Sequence, residues 1–274
     1  MGWPKSGVIF AKTLARGRIS LLAFASGMAL FEFVTAVTFP SIGGTGTART
    51  VFESLGPDMQ RLLKLAPNLQ AGFGPRNYLA FGYFHPVFLG LGSAFVVSRA
   101  SDAIAGDIER GTILFLLSRP VSRGALLLGK TAEIVVSLLL VITGSVVGTA
   151  LGVSLVDLGE PISLVPFGLI GLNAYALFLA LAGVALLISA LSSSAAGVAG
   201  WATAFALLAF TADFLSGLPV INLLGILSPF RFYDPQTIVA TRSLPLINIL
   251  VLLLTFLVGF TLAWRLFQRR DIVA

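Results

Sequence analysis

Residues 124–131, GALLLGKT, satisfy the spacing G-x-x-x-x-G-K-[ST] at every fixed position. In a phosphate-binding loop, that spacing lets backbone N–H groups wrap a nucleotide's phosphates. The lysine and the hydroxyl then reach phosphate and magnesium. The chemistry needs a strand before the turn and a glycine-rich backbone within it. Here the variable positions are Ala125, Leu126, Leu127 and Leu128, an apolar run that propagates a helix. LSRPVSR, a polar turn with a proline, precedes it, and AEIVVSLLLVITGSVVGTALGV, a membrane span, follows. VSLVD, ending at Asp157, has the form of four apolar residues and a carboxylate, but lies across the bilayer from Lys130. Nucleotide chemistry is therefore set aside. Lys130 reads as a basic residue snorkelling from the start of a span.

Other reactive side chains are sparse. With no cysteine, disulfides, iron–sulfur clusters and thiolate zinc sites are excluded. The single histidine, His85, stands beside Pro86 in an apolar run and reads as structural or interfacial. Glu32 and Asp213 fall inside predicted spans, where ionisable groups are costly and mark functional positions. Both are candidates for a transport pathway. A structural role weighs equally for Glu32, and Asp213 is placed to reach the outer interface. Glu133, near the start of the third span, calls for a basic partner on its own face. A membrane enzyme would need converging catalytic groups, and His85 with Glu32 is the nearest approach to one.

The elements that hold these residues are set by composition. Of 274 residues, 57% are hydrophobic and 11% charged, against about 25% charged in soluble domains, and the mean hydropathy is +0.96. A chain this short cannot hide that much apolar surface from water, so it belongs in a membrane. Six segments are long enough to cross, at about 19–39, 79–98, 126–156, 166–191, 197–215 and 245–266. Together they make a single transmembrane domain over 1–274. The first is read as an uncleaved span, because its basic leader is long and its apolar run continues through Glu32.

Charge sets the orientation. On one side fall Lys5, Lys12, Arg16, Arg18, Arg99, Arg110, Arg119, Arg123, Lys130, Arg265, Arg269 and Arg270; on the other only Arg49, Arg61, Lys64, Arg76, Arg231 and Arg242. The richer side is cytoplasmic by the positive-inside rule, so both termini are expected there. The net charge of +6 then belongs to membrane topology, not to nucleic-acid binding.

Residues 3–18 mix apolar and basic side chains, as in a helix lying in the inner interface. Residues 50–66 approximate a helical stripe interrupted at Pro57. Residues 216–244 are too short and proline-broken to span, and read as a re-entrant or interfacial hairpin. Gly144, Gly148 and Gly152 share one face of the third span and admit a close backbone neighbour, in the same chain or in a second copy.

The connection between the second and third spans carries the strongest pattern: RASDAIAGDIERGTILFLLSRPVSRGALLLGKT, residues 99–131. Asp102, Asp107, Glu109 and Arg110 make its first part polar. Ile113 to Leu117 are too few to span, and Pro120 sets a turn. Short helices lying on the membrane surface, charges outward and ILFLL inward, are the simplest geometry. Over about 30 residues this stretch resembles the cytoplasmic loop of ABC-2-type transporter permeases. The elements that match are Asp107, Glu109, Gly111, Thr112, Ser118, Pro120, Val121, Ser122, Arg123, Gly129 and Lys130. The six-span pattern and LSPFRFYDP before the last span are also similar.

The resemblance implies an all-α integral membrane protein of six transmembrane helices, with an N-terminal interfacial helix and a cytoplasmic coupling helix after the second span. It implies a cell-membrane permease, an exporter by analogy, that is not itself an enzyme. ATP and Mg would be bound by a separate ABC ATPase subunit, no cofactor by this chain, and a second permease copy or a related permease would complete the assembly. Contact with the ATPase would fall to Asp102, Asp107, Glu109, Arg110, Gly111, Thr112, Ile113, Leu116, Leu117, Arg119, Pro120, Ser122 and Arg123. Asp107, Glu109 and Arg110 would make charged contacts, Ile113, Leu116 and Leu117 would anchor, and Gly111 would allow close approach. A membrane component that uses ATPase motion to mature another protein, as in nitrous-oxide-reductase maturation, fits the loop almost as well. An ATP-independent transporter fits less well.

Overall fold

The computed structural model describes the chain except residues 1–4, 63, 65–73, 119–120, 217–221 and 272–274. Among the described residues, every regular element is a helix. In chain order these are α1 (Lys5–Ser41), α2 (Gly44–Ser54), α3 (Pro57–Leu62), α4 (Pro75–Phe84), α5 (Pro86–Ala103), α6 (Ala105–Glu109), α7 (Thr112–Leu117), α8 (Arg123–Leu155), α9 (Val165–Leu191) and α10 (Ala195–Leu215). Two 3-10 turns, Asn222–Leu227 and Pro229–Phe232, precede α11 (Pro235–Thr241) and α12 (Leu246–Arg269).

Six of these stretches are long and apolar enough to cross a membrane: α1, α4 with α5, α8, α9, α10 and α12. The second is broken where Pro86 cannot donate a helical hydrogen bond. His85 bridges the break. It ends α4, and its Nδ1 accepts from Val87 N at 3.2 Å at the start of α5. Phe31 and Phe81 pack around its ring.

The expected interfacial helix at 3–18 is not a separate element. α1 runs unbroken for 37 residues from Lys5, about 55 Å at 1.5 Å per residue. No proline interrupts it before Pro40. Gly17 leaves the room that Arg99 takes. A methyl there would overlap the Arg99 guanidinium, whose Nη2 donates to the Gly17 carbonyl at 2.8 Å.

α1 and α8 pack side by side and run parallel. Gly129 lies against Ser6 and Ile9, Gly144 against the Ala25 carbonyl, Gly148 against the Ala29 carbonyl, and Gly152 against Phe33 and Ala36. Each added Cβ would overlap these atoms, so the glycine face read from the sequence lets two backbones touch. The neighbour is α1 of the same chain. A second close crossing joins Gly183 of α9 to Phe256 and Gly259 of α12. α9 is apolar all round and forms the centre of the bundle, with Leu177, Phe178, Ala182 and Leu186 inaccessible.

The 222–241 segment folds back on the bundle. Tyr233 Oη donates to the Tyr83 carbonyl at 2.9 Å. Asn173 Nδ2 donates to the Phe232 carbonyl at 3.1 Å, and Ser228 Oγ to that of Ala209 at 2.7 Å. These bonds tie residues 228–233 to the bundle, while Ile226 and Leu227 stay exposed.

Candidate functional site

The 99–131 connection lies at the end of the bundle that holds the first turns of α1 and α8. α5 ends at Ala103, and α6 begins at once. The N–H groups of Ile104 and Ala105 donate to Ser189 Oγ of α9, at 3.3 and 3.1 Å. Gly111 joins α6 to α7 with φ +67°, a left-handed conformation that strains any L side chain. Nothing lies within 4 Å of where its Cβ would be. Gly111 is thus favoured by its dihedral angle, and no other part of the described chain crowds it. Ser122 caps α8, its Oγ accepting from Ala125 N at 3.1 Å.

One charge of this segment turns inward, while Asp102, Glu109 and Arg110 stay exposed. Asp107 is buried and forms an ion pair with Lys130 of α8. It also accepts from Arg110 Nη2 at 3.2 Å and Thr112 Oγ1 at 3.1 Å. Arg110 Nη1 reaches Asp102 at 2.7 Å. That hydrogen bond raises the already high pKa of the guanidinium, which stays charged. Lys130 Nζ donates to the Asp102 carbonyl at 3.2 Å as well. Lys130 therefore does not snorkel; it is 9% exposed and locks the loop to α8. GALLLGKT lies wholly within α8, with no strand before it, so its backbone N–H groups cannot wrap a phosphate.

Further bonds tie the same region to the remaining helix ends. Glu109 Oε2 accepts from Ala195 N, in the first turn of α10, at 2.8 Å. Arg123 Nη1 donates to the carbonyls of Phe267, Gln268 and Arg270, at 3.1, 3.3 and 2.5 Å. Arg270 in turn donates to those of Ala190 and Ser192, at 2.9 and 2.8 Å. These groups satisfy helix-terminal carbonyls and N–H groups that lack intrahelical partners. Glu133 finds the basic partner the sequence called for, Arg99 of α5 at 3.7 Å, and accepts from Ser137 Oγ at 2.7 Å.

The outward face of α7 is apolar. Ile113 is 1% exposed and Leu116 packs against the core, whereas Phe115 is 77% exposed and Leu114 41%. The expected arrangement, charges outward and the apolar run inward, thus holds for Asp102, Glu109, Arg110, Ile113 and Leu116 and fails for Asp107, which is buried, and for Leu114 and Phe115, which are exposed. Arg110 and Thr112 bond to Asp107, Asp107 pairs with Lys130 of α8, and Glu109 bonds to α10. Arg119 and Pro120 lie outside the described residues, as does the Leu117 side chain.

The two membrane carboxylates are held apart from this network and differ from each other. Asp213 is 4% exposed, and Lys64 from the connection after α3 pairs with it at 2.8 Å. Lys64 Nζ also donates to the carbonyls of Phe230 and Tyr233, at 3.1 Å each, above the Phe84 ring. Asp213 thus anchors a connection. Glu32 is fully buried, and neither oxygen has a hydrogen-bond partner. Gly82 makes room for it; a Cβ there would stand 2.9 Å from Glu32 Oε2. Close by, Tyr83 Oη and Thr149 Oγ1 share a hydrogen bond of 2.7 Å.

Among the described residues, no group of histidine, aspartate and glutamate side chains has the arrangement to hold a metal ion. The arrangement at the loop end is mechanical. A short pair of helices, joined by hydrogen bonds or ion pairs to α8, α9 and α10, presents an aromatic side chain outward. Sequence reasoning missed Lys130, Leu114 and Phe115. A signal for Lys130 was available, because it is an ionisable group at the start of an apolar span. Residues 58–272 match the family described as ABC-2 family transporter protein. No curated protein matches the chain.

Proposed function

Because the chain belongs to the ABC-2 family of transporter proteins, we infer that it is the membrane-spanning permease subunit of an ABC transporter. ATP hydrolysis in a separate ATPase subunit drives it, and the α6–α7 helix pair couples the two. The loop end, with both chain termini, faces the cytoplasm of the cell, and cargo moves outward. ATP and Mg belong to the ATPase, and a second permease copy or a related permease completes the complex within membrane lipid.

The observation that carries this reading is the double character of α6–α7. Outward, Phe115 and Leu114 offer an apolar knob of the kind that fills a pocket on a partner. Inward, the Asp107–Lys130 pair and the Ser189 and Glu109 bonds join the helix pair to α8, α9 and α10. A push on the knob is therefore delivered to several helices at once. Glu32, with no partner inside the bundle, is the pathway candidate that the geometry favours over Asp213, which Lys64 already engages.

Purification of the tagged chain from native membranes should recover an ABC ATPase. Phe115→Ala should lower its recovery at least fivefold with the chain still inserted. Glu109→Ala with Arg110→Ala should weaken ATPase stimulation through loss of α6–α7 geometry. Absence of a co-purifying ATPase, or unchanged recovery with Phe115→Ala, would overturn the reading. ATPase stimulation without cargo movement would instead favour a role in maturing another protein.

A further inference from the structure

The loop end also encloses a cavity of about 380 Å³ between the first turns of α1, the end of α5, α6–α7 and the start of α8. That is within the range of small-molecule sites, about 300–1,000 Å³. Five cations line it: Lys12, Arg16, Arg99, Arg110 and Lys130. The carboxylates on its walls are Asp102, Asp107 and Glu133. Each is already answered: Asp107 by Lys130 and Arg110, Asp102 by Arg110, and Glu133 by Arg99. Lys12 and Arg16 remain. They are exposed, one helical turn apart on the same face of α1. Neither has an ion-pair or hydrogen-bond partner among the described residues. Arg99 Nε, also on the cavity wall, is buried without an acceptor. The cavity thus keeps two positive charges and a buried donor unmatched.

Depth limits what can answer them. The continuous apolar part of α1 begins at Ile19, which is 77% exposed. Lys12 and Arg16 precede it by seven and three residues, roughly 10 and 5 Å along the helix. A bilayer's polar layer extends about 5–8 Å beyond its hydrocarbon on each side. Arg16 therefore sits at the level of lipid phosphates, and Lys12 lies just beyond that level, where its long side chain can reach back to it. Ile9 and Leu126 supply apolar wall, and Thr13, Ser20 and Ser98 supply hydroxyls, which suits a phosphate carrying glycerol better than a bare ion.

We propose that this cavity binds the phosphate of an anionic phospholipid headgroup between Lys12 and Arg16 of α1 and the Arg99–Arg110 wall. A bound headgroup cross-links α1 to the helix pair proposed to couple the ATPase, but the binding itself does not depend on that role.

The test uses the full chain in neutral detergent, with lipid retention read by native mass spectrometry. Phosphatidylglycerol should be retained at one per chain, and phosphatidylcholine should not. Lys12→Gln with Arg16→Gln should weaken phosphatidylglycerol binding at least tenfold, and the charge-keeping swap Lys12→Arg with Arg16→Lys should restore most of it. Arg265→Gln with Arg269→Gln removes two exposed charges from the same end of the bundle, outside the cavity. It should leave binding unchanged. Equal losses in the two Gln pairs, or undiminished binding in Lys12→Gln with Arg16→Gln, would overturn the proposal. Millimolar inorganic phosphate should not displace the lipid. Displacement would make free phosphate the ligand and refute the headgroup assignment.

Discussion

Asp107 and Glu32 are about equally hidden, at 3% and 0% exposure, yet their surroundings differ. Asp107 faces Lys130, Arg110 and the Thr112 hydroxyl; neither Glu32 oxygen has a hydrogen-bond partner. Taking a carboxylate out of water costs several kcal/mol unless opposite charge and donors replace the lost hydration. At the loop end that replacement is complete, and the ion pairs fix where α6–α7 sits. Inside the bundle it is absent, and Gly82 and the packing of α1 simply make room for the group. One carboxylate holds structure, and the other is left without a hydrogen-bond partner inside the bundle.

The difference can be broken or sharpened by substitution, and the largest effect is expected at Lys130. Lys130→Met takes one of two cations from Asp107 and should cost about 3–5 kcal/mol. This would be read as a lowered unfolding midpoint in detergent. Adding Asp107→Asn should recover part of the loss, because the stranded charge goes with it. If Lys130→Met unfolds like the parent, Asp107 is no better paired than Glu32, and the contrast fails. Lys64→Met removes the partner of Asp213, but Lys64 is 19% exposed, and water offsets some of the loss. A cost of about 1–3 kcal/mol is expected. Cleavage near residue 64 by added protease should also become faster. Glu109→Ala removes the acceptor on the first turn of α10 and should cost about 0.5–2 kcal/mol, as a lost cap does. Hydrogen exchange at Ala195 and its neighbours would report it. The smallest change in stability belongs to Glu32→Gln, within about 1 kcal/mol, since no partner is left unpaired. Its effect should appear in cargo movement instead, and a Glu32→Gln chain that moves cargo normally would remove Glu32 from the pathway.

Much of the architecture was legible because it is local. The spans follow from apolar runs, and Gly144, Gly148 and Gly152 announced a close contact by their spacing alone. What they touch was not legible, since Ala25, Ala29 and Phe33 lie more than a hundred residues earlier and no local pattern names them. The charged loop failed for the same reason. Asp107 looks like a surface charge until Lys130, on the far side of the connecting turn, is placed against it. The short α7 turns Ile113 and Leu116 inward and leaves Phe115 outside. The break at Pro86 needs one residue's chemistry, but the 79–98 span reads straight through it. The seating of Arg99 over Gly17 of α1 is a tertiary fact that no local pattern names.

The parallel pairing of α1 with α8 also has a consequence for biosynthesis. A ribosome releases α1 first, and about 110 residues separate its end at Ser41 from the end of α8 at Leu155. At about 5–20 residues per second, the face bearing Ala25, Ala29 and Phe33 waits on the order of ten seconds for the glycines it will meet. Throughout that interval, Glu32 has not yet been enclosed by the bundle that buries it. The first helix must be kept within reach by the insertion machinery or a membrane chaperone, and a pause in translation before α8 would prolong the period in which it can be lost to degradation.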